Sequence, residues 1–344
     1  MNARRVLKVG SAILLAGVLG ASCGGSGGGG GDGGGDVSGF KFNDANMETA
    51  AATGTSLVDF FPAVGRFALV MVDAVPSAAA KRLSASRMSD PMDMEMCWSG
   101  SSMMTWDDTD NNSEISAGDA LTLTLTNCDM TGEGSKATGS AEFTFTSVAP
   151  SLAADVVLDL DIADTVDGKP ETETIGGSFP MQVALGVDPV YQYTVTYGGK
   201  SRSDVLTQTL NGKEQKFGCF DVSHKFSPMD DTEEILVRGI ANVAGKIMQV
   251  GTYFGDNFMT FDASAGDGGE PVGGSLWLLS FDGRPNVGLA PCNAVGSPGQ
   301  VDSDDSSLLL TATGGGNITL GLYLNGNNQI PTKTIETTWG ALTQ

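Results

Sequence analysis

Beyond residue 95, most of the chain alternates apolar and polar side chains with a period of two. In LTLTLT, the leucines of Leu121–Leu125 fall on one face. In DVVLDLDI, four apolar residues fall opposite the aspartates: Val156, Leu158, Leu160 and Ile162. This alternation predicts antiparallel strands that are buried on one face and solvated on the other. Turn residues separate the segments, as in LNGKE, SFDGRP and YLNGNN. We therefore expect a mainly β fold: an antiparallel sandwich, barrel or curved meander.

One segment near the N-terminus has helical spacing instead. Between residues 53 and 75, apolar side chains recur every three or four positions, at Leu57, Phe60, Phe61, Val64, Phe67, Ala68 and Met71. Charged residues interrupt the segment, which excludes a membrane-spanning helix. We expect this helix to pack its apolar face on the β domain.

The first 22 residues have the features of an export signal. Arg4, Arg5 and Lys8 precede a short apolar run from Val9 to Gly20. That run is about half of the roughly 20 residues that a spanning helix needs. A positive segment followed by a short apolar run is typical of a signal peptide.

Small residues directly precede Cys23 in the sequence LGASC. This stretch resembles a bacterial lipobox, with Gly20 at the position that leucine usually occupies. The resemblance implies cleavage before Cys23 and a lipid on that cysteine, which anchors the exported protein to a membrane of the cell envelope. In a Gram-negative organism the resemblance implies the outer membrane. Ordinary secretion is the alternative.

A glycine-rich segment, GGSGGGGGDGGGD, follows Cys23 and has almost no side chains to pack. Such a composition predicts a flexible tether. We therefore divide the chain into four parts: a signal peptide (1–22), the lipidated cysteine and tether (23–39), the helix with a connector (40–94), and the β domain (95–344).

The charge balance narrows the range of partners. Asp and Glu number 41 against 19 Lys and Arg, for a formal net charge of −22. This charge repels nucleic-acid phosphates, so we expect no nucleic-acid partner. The hydrophobic fraction of 40% is sufficient for a folded core.

Apart from the lipobox cysteine, the chain has four cysteines: Cys97, Cys128, Cys219 and Cys292. An even number in an exported chain predicts disulfides, with free buried thiols as the alternative. Cys97 lies 16 residues before Ser113, and Cys128 lies 15 residues after it. Two antiparallel strands folded at that point would bring these two cysteines nearly opposite each other. We therefore predict a Cys97–Cys128 disulfide, which leaves Cys219 to pair with Cys292.

The loop between those cysteines reads D-T-D-N-N-S-E-I-S-A-G-D from Asp108. It resembles the calcium loops of EF-hand and dockerin proteins. In such loops the first, third, fifth and twelfth side chains supply oxygen, the seventh residue supplies a carbonyl, and the ninth often acts through water. The residues at these positions are Asp108, Asp110, Asn112, Asp119, Glu114 and Ser116. Ile115, in the eighth position, matches the apolar anchor of such loops.

Three features depart from the EF-hand pattern. Ser113 replaces the glycine at the sixth position, Asp119 replaces the glutamate at the twelfth, and the flanking segments predict strands. A polar hairpin loop without metal is the alternative, because Asn and Asp favour turns by themselves. We expect a structural Ca²⁺, because all the ligands belong to one loop and no candidate nucleophile or base lies near them in the sequence.

Catalytic patterns are weak in this sequence. His224 is the only histidine, and it lies in the strand-like DVSHKF without a serine or cysteine elbow. We therefore expect a non-enzymatic envelope scaffold, adhesion or binding module for a protein, glycan or lipid ligand. One alternative is a lipid carrier, with the helix covering a curved sheet. The other is a hydrolase with two acids roughly 5–10 Å apart.

Overall fold

The structure is a computed structural model of the chain. It describes residues 40–55, 58, 64, 92–93, 97–112, 115–129, 132, 134–148, 151–166, 169–185, 193–198, 205–210, 212–227, 232–243, 246–252, 259–262, 270–280, 306–325 and 329–342. The signal peptide, Cys23, the glycine-rich tether and most of the predicted helix lie outside the described residues.

Within these ranges, 17 strands form one sheet. They are β1 (Met92–Asp93), β2 (Ser99–Asp107), β3 (Ala120–Asp129), β4 (Lys136–Ser147), β5 (Leu152–Val166), β6 (Lys169–Leu185), β7 (Tyr193–Gly198), β8 (Val205–Leu210), β9 (Lys213–Ser227), β10 (Thr232–Val243), β11 (Lys246–Thr252), β12 (Met259–Asp262), β13 (Pro271–Gly273), β14 (Ser275–Ser280), β15 (Ser307–Gly314), β16 (Asn317–Tyr323) and β17 (Lys333–Thr338). Their pairings are antiparallel, which confirms the predicted mainly β fold. β1 begins slightly before the predicted domain start at residue 95.

The strands follow one another as a meander. From β2 to β6 each strand pairs with the next along the chain. The long strands β6 and β9 then each pair with both β7 and β8, which therefore lie end to end between them. β9 pairs with β10, and β10 pairs with β11 and β12. β11 pairs with β14, from which β15, β16 and β17 continue in order.

The alternating pattern becomes the two faces of this sheet. Leu121, Leu123 and Leu125 of β3 are at most 1% exposed. On β5, four alternate apolar side chains are buried, and the residues between them are exposed: the former are Val156, Leu158, Leu160 and Ile162, and the latter are Val157, Asp159 and Asp161. The buried face forms one continuous core cluster that includes residues of the N-terminal helix. Burial of this face is the main favourable contribution to folding.

The N-terminal helix α1 covers residues 47–55, and residues 58 and 64 are helical as well. Met47, Ala50 and Ala51 are buried in the core cluster. A Cβ atom added at Gly54 would lie 3.0 Å from the side chain of Leu278, so the helix lies directly against β14. A helix packed on the sheet was predicted, and the structure confirms it.

Helix α1 begins earlier than the periodic pattern indicated. The Asn43 side chain accepts hydrogen bonds from the backbone N–H groups of Ala45 and Asn46, at 2.9 and 3.2 Å. The Asn46 side chain in turn accepts one from the Asn43 N–H, at 2.8 Å. This reciprocal arrangement satisfies backbone donors that the first helical turn leaves unpaired, as in a capping box. Val64 of the predicted apolar face is buried, and the other six residues of that face lie outside the described part of the chain.

A second helix, α2 (Trp339–Leu342), follows β17. Its Trp339 ring meets the Phe261 ring edge-on at 5.6 Å, which fixes the end of the chain against β12. Four residues are too few for a helical period to be visible in the sequence. Neither α1 nor α2, within the described ranges, is long and apolar enough to cross a membrane.

Candidate metal site in the β2–β3 loop

The candidate calcium loop closes a β-hairpin. β2 ends at Asp107, which pairs with Ala120 at the start of β3, so the loop runs from Asp108 to Asp119. The predicted strand flanks are therefore confirmed. The Gly118 N–H donates to the Phe145 carbonyl at 2.7 Å, and the Phe145 N–H donates to the Asp119 carbonyl at 2.8 Å. These two bonds fix the end of the loop on β4.

Three carboxylates converge inside the loop. Asp108, Asp110 and Asp119 each offer an oxygen, and these oxygens lie within 4.8 Å of one another. Asp119 is fully buried and Asp108 is 6% exposed. Two carboxylates about 4 Å apart repel each other by about 4 kcal/mol at an effective dielectric constant of about 20. A bound cation would offset this repulsion and use the oxygens as ligands.

Backbone donors hold the carboxylates in this position. Both oxygens of Asp119 accept hydrogen bonds at 2.9 Å, one from the Thr109 N–H and the other from the Ser116 N–H. The Asn112 N–H lies 3.2 Å from an Asp108 oxygen and 3.1 Å from an Asp110 oxygen. A carboxylate oxygen has two lone pairs, so it can accept such a bond and still ligate an ion.

The other predicted ligands lie in different positions relative to the three carboxylates. The Ser116 hydroxyl lies 3.2 Å from Asp110 and 3.3 Å from Asp119, where it bridges the two carboxylates. The side-chain amide of Asn112 donates an N–H hydrogen bond to the Asp110 carboxylate at 2.8 Å. Ligation through the side-chain oxygen of Asn112 would require its amide group to rotate by about 180°, which exchanges the positions of the nitrogen and the oxygen. Glu114 lies outside the described residues.

The backbone of the loop turns at Asn111. This residue has a positive φ of 57°, whereas the EF-hand pattern places the turn glycine two positions later, at Ser113, which is outside the described residues. Asparagine tolerates the left-handed conformation better than other residues with a side chain. Ile115 packs against the core cluster, as expected for the apolar anchor of such a loop.

Substitution of Asn111 tests the turn. Asn111→Ala is expected to reduce the free energy of unfolding by about 1 kcal/mol, because alanine is strained at positive φ. Asn111→Gly is the matched control and is expected to be close to neutral. Urea unfolding followed by circular dichroism measures both. Equal stability of the two variants would contradict the left-handed turn.

The disulfide at the other end of this hairpin is confirmed. Cys97 and Cys128 are bonded, with their Cα atoms 5.2 Å apart. Cys219 is also disulfide-bonded, and its predicted partner, Cys292, lies outside the described residues.

The structure also shows buried ionisable groups that the sequence patterns did not indicate. His224 is fully buried on β9, with its Nε2 atom 3.3 Å from Glu233 on β10. Glu233 is 6% exposed, so both partners of this pair are buried. On β6, burial raises the pKa of Glu173 to about 7, with a smaller upward contribution from Glu171 that adds to the burial effect.

Comparison with known proteins adds no further constraint: no protein-family model, curated protein or solved structure matches this chain. The lipobox and calcium-loop resemblances therefore stay predictions.

Proposed function

We propose that the protein is an exported cell-envelope lipoprotein whose β body is a non-enzymatic scaffold, adhesion or binding module, with one structural Ca²⁺ in the β2–β3 loop. The observation that carries the calcium proposal is the convergence of Asp108, Asp110 and Asp119 to within 4.8 Å. Calcium takes hard oxygen ligands, and carboxylates are the strongest that a protein offers.

A structural role fits the position of the loop. The ligand oxygens belong to a single loop between two paired strands, and apolar side chains of those strands are part of the core. An ion held there would order the tip of the hairpin. The burial of the only histidine in a pair with Glu233 supports a non-enzymatic role, because a general base must reach its substrate.

The packing favours a scaffold or surface module over a lipid carrier. Helix α1 contacts β14 directly through Gly54. The side chain of Leu278 therefore fills the space between this part of the helix and the sheet, which a lipid would need.

Calcium titration by isothermal calorimetry tests the proposal. The mature protein is expected to bind one Ca²⁺ per chain, and Asp110→Asn is expected to weaken binding on the order of tenfold or more, because it removes a charged ligand. Asp159→Asn, at an exposed position on the outer face of β5, is the matched control and should bind normally. Absence of binding in the native protein, or native affinity in Asp110→Asn, would refute the calcium site.

Lipidation has a separate test. Cells expressing the full-length protein are expected to incorporate labelled palmitate into it, and Cys23→Ser is expected to abolish the label and release the protein from the membrane fraction. Ser26→Ala, in the tether, is the control and should behave like the native chain. Retention of the label in Cys23→Ser would exclude Cys23 as the anchor.

A further inference from the structure

Three polar side chains lie side by side in the core-facing layer of the sheet. Glu173 of β6 accepts a hydrogen bond from the Gln208 amide of β8 at 2.5 Å. Gln208 in turn pairs directly with Gln215 of β9. We call these three residues the amide–carboxyl row. Along the strand direction, the Glu173 end of this row lies at the level of Cys128 and away from the calcium loop. The successive pairings of β3, β4, β5 and β6 connect the two positions.

The amide–carboxyl row has buried acceptors that the chain does not satisfy. Glu173 and Gln215 are each only 5% exposed. The Glu173 Oε2 atom and the Gln215 Oε1 atom have no hydrogen-bond partner among the described residues. Buried polar atoms are nearly always paired, so two unpaired acceptors in one short row indicate that a donor or cation belongs between them.

We propose that the amide–carboxyl row binds a monovalent cation, either an alkali metal ion or a protonated amine, between Glu173 and Gln215. Gln208 pairs with Ile175 of β6, so Glu173 and Gln215 lie two strand spacings of about 5 Å each apart across the sheet and two residues, or about 7 Å, apart along it. Two side chains of this length that lean towards Gln208 can close that span around a small cation. The third member, Gln208, is only partly buried and provides the side from which the cation enters.

The charge of the row selects the class of cation. Glu173 supplies one negative charge when ionised, and the two glutamines are neutral. A monovalent cation is therefore balanced within the row, whereas a divalent ion would depend for its second negative charge on the less buried Glu171, which lies outside the row. Hard oxygens suit an alkali ion, and the N–H groups of an amine could satisfy the same two acceptors.

A proton competes with the cation for the Glu173 carboxylate. Burial raises the pKa of Glu173 to about 7, the Gln208 hydrogen bond lowers it, and Glu171 on the same strand raises it further. On the neighbouring strands, Glu173 pairs with the apolar Ile162 of β5 and Leu210 of β8. Charged residues close to it in register are Asp164, which pairs with Glu171, and Lys213 of β9, which pairs with Leu210. Because the folded pKa exceeds the unfolded one, stability falls as the pH rises from about 4.5 to about 7 and then stays level. Cation binding to ionised Glu173 would restore stability above that range.

Melting temperatures in matched salts test the inference. At about pH 8, with calcium fixed, the mature protein is compared in sodium, potassium, methylammonium and tetramethylammonium chloride at one ionic strength. Tetramethylammonium has the same charge, but it has no N–H donor and is too bulky to enter. At least one of the other salts is expected to raise the melting temperature by about 2–4 °C relative to it. Which salts raise the melting temperature tells whether the row binds alkali ions or amines. The rise should disappear near pH 5, where Glu173 is protonated.

Glu173→Gln keeps the shape of the row and removes its charge, so it should abolish the salt-specific rise. Glu142→Gln, at an exposed position on β4, is the control and should retain it. Equal melting temperatures of the native protein in all four salts would overturn the inference and leave Glu173 as a protonated core carboxyl. A salt-specific rise that survives in Glu173→Gln would overturn it as well.

Discussion

Removal of calcium with EDTA is expected to lower the melting temperature of the mature protein, and added calcium is expected to restore it. An ion that binds only the folded state stabilises that state by about 4 kcal/mol when its concentration is about a thousandfold above its dissociation constant. The loop releases its three converging carboxylates when it unfolds, so the unfolded chain has no comparable site. Differential scanning calorimetry measures the shift.

Magnesium is expected to restore little of the loss. Mg²⁺ requires near-ideal octahedral geometry at about 2.0–2.1 Å and gives up its waters reluctantly, whereas Ca²⁺ accepts a flexible shell at about 2.3–2.6 Å. The loop carboxylates of Asp108, Asp110 and Asp119 can supply the flexible oxygen shell that Ca²⁺ accepts. Full recovery in magnesium would contradict a calcium-specific site.

Asp108→Asn is the decisive variant for this prediction. The asparagine oxygen can still accept the Asn112 N–H, so the turn is preserved while one ligand charge is lost. The variant is expected to melt near the EDTA value of the native protein and to respond weakly to calcium. Hydrogen exchange at Thr109 and Ser116, whose N–H groups donate to Asp119, should quicken in EDTA if the ion orders the loop. A native response in Asp108→Asn would refute the site, as would no response to EDTA in the native protein.

Loss of the Cys97–Cys128 disulfide is expected to have a similarly large effect. The bond joins residues 31 positions apart. A closed loop of that size restricts the unfolded chain enough to contribute about 3–4 kcal/mol to the free energy of unfolding. The double variant Cys97→Ala/Cys128→Ala removes the bond without leaving a free thiol. Urea unfolding under non-reducing conditions measures the difference from the native protein.

The two ends of the hairpin should contribute independently. The paired strands separate the disulfide from the loop by roughly 25 Å, and effects at such distances usually add. The double cysteine variant should therefore lose the same stability with and without calcium. Ser99→Ala, an exposed substitution on β2 close to the disulfide, is the control and should be near neutral. A double cysteine variant as stable as the native chain would contradict the expected contribution of the bond.

Predictions from the sequence succeeded where the determining contacts are local. The face of each strand follows from alternation, because shifting the register by one residue would place Leu123 in water and Glu142 in the core. The hairpin and its disulfide followed from chain spacing around Ser113, because strands joined by one loop have little freedom in their pairing.

The start of helix α1 was missed for a physical reason. Residues 47–52 include three small side chains, Ala50, Ala51 and Ala52, which give a weak periodic signal. The cap formed by Asn43 and Asn46 has a sequence signature only once a helix is known to follow it. An amide residue in an acidic, turn-rich chain is otherwise read as part of a loop.

Local patterns along the chain were enough to predict the strand faces, the hairpin, one disulfide and the candidate ligands of the loop, since each depends on residues close together in the chain. No local pattern predicts that β7 and β8 lie end to end between β6 and β9, which is visible only in the folded chain. That arrangement buries Glu173 beside Gln208. Alternation identifies the inward side of a strand, but only the pairing of distant strands determines which side chains it meets there.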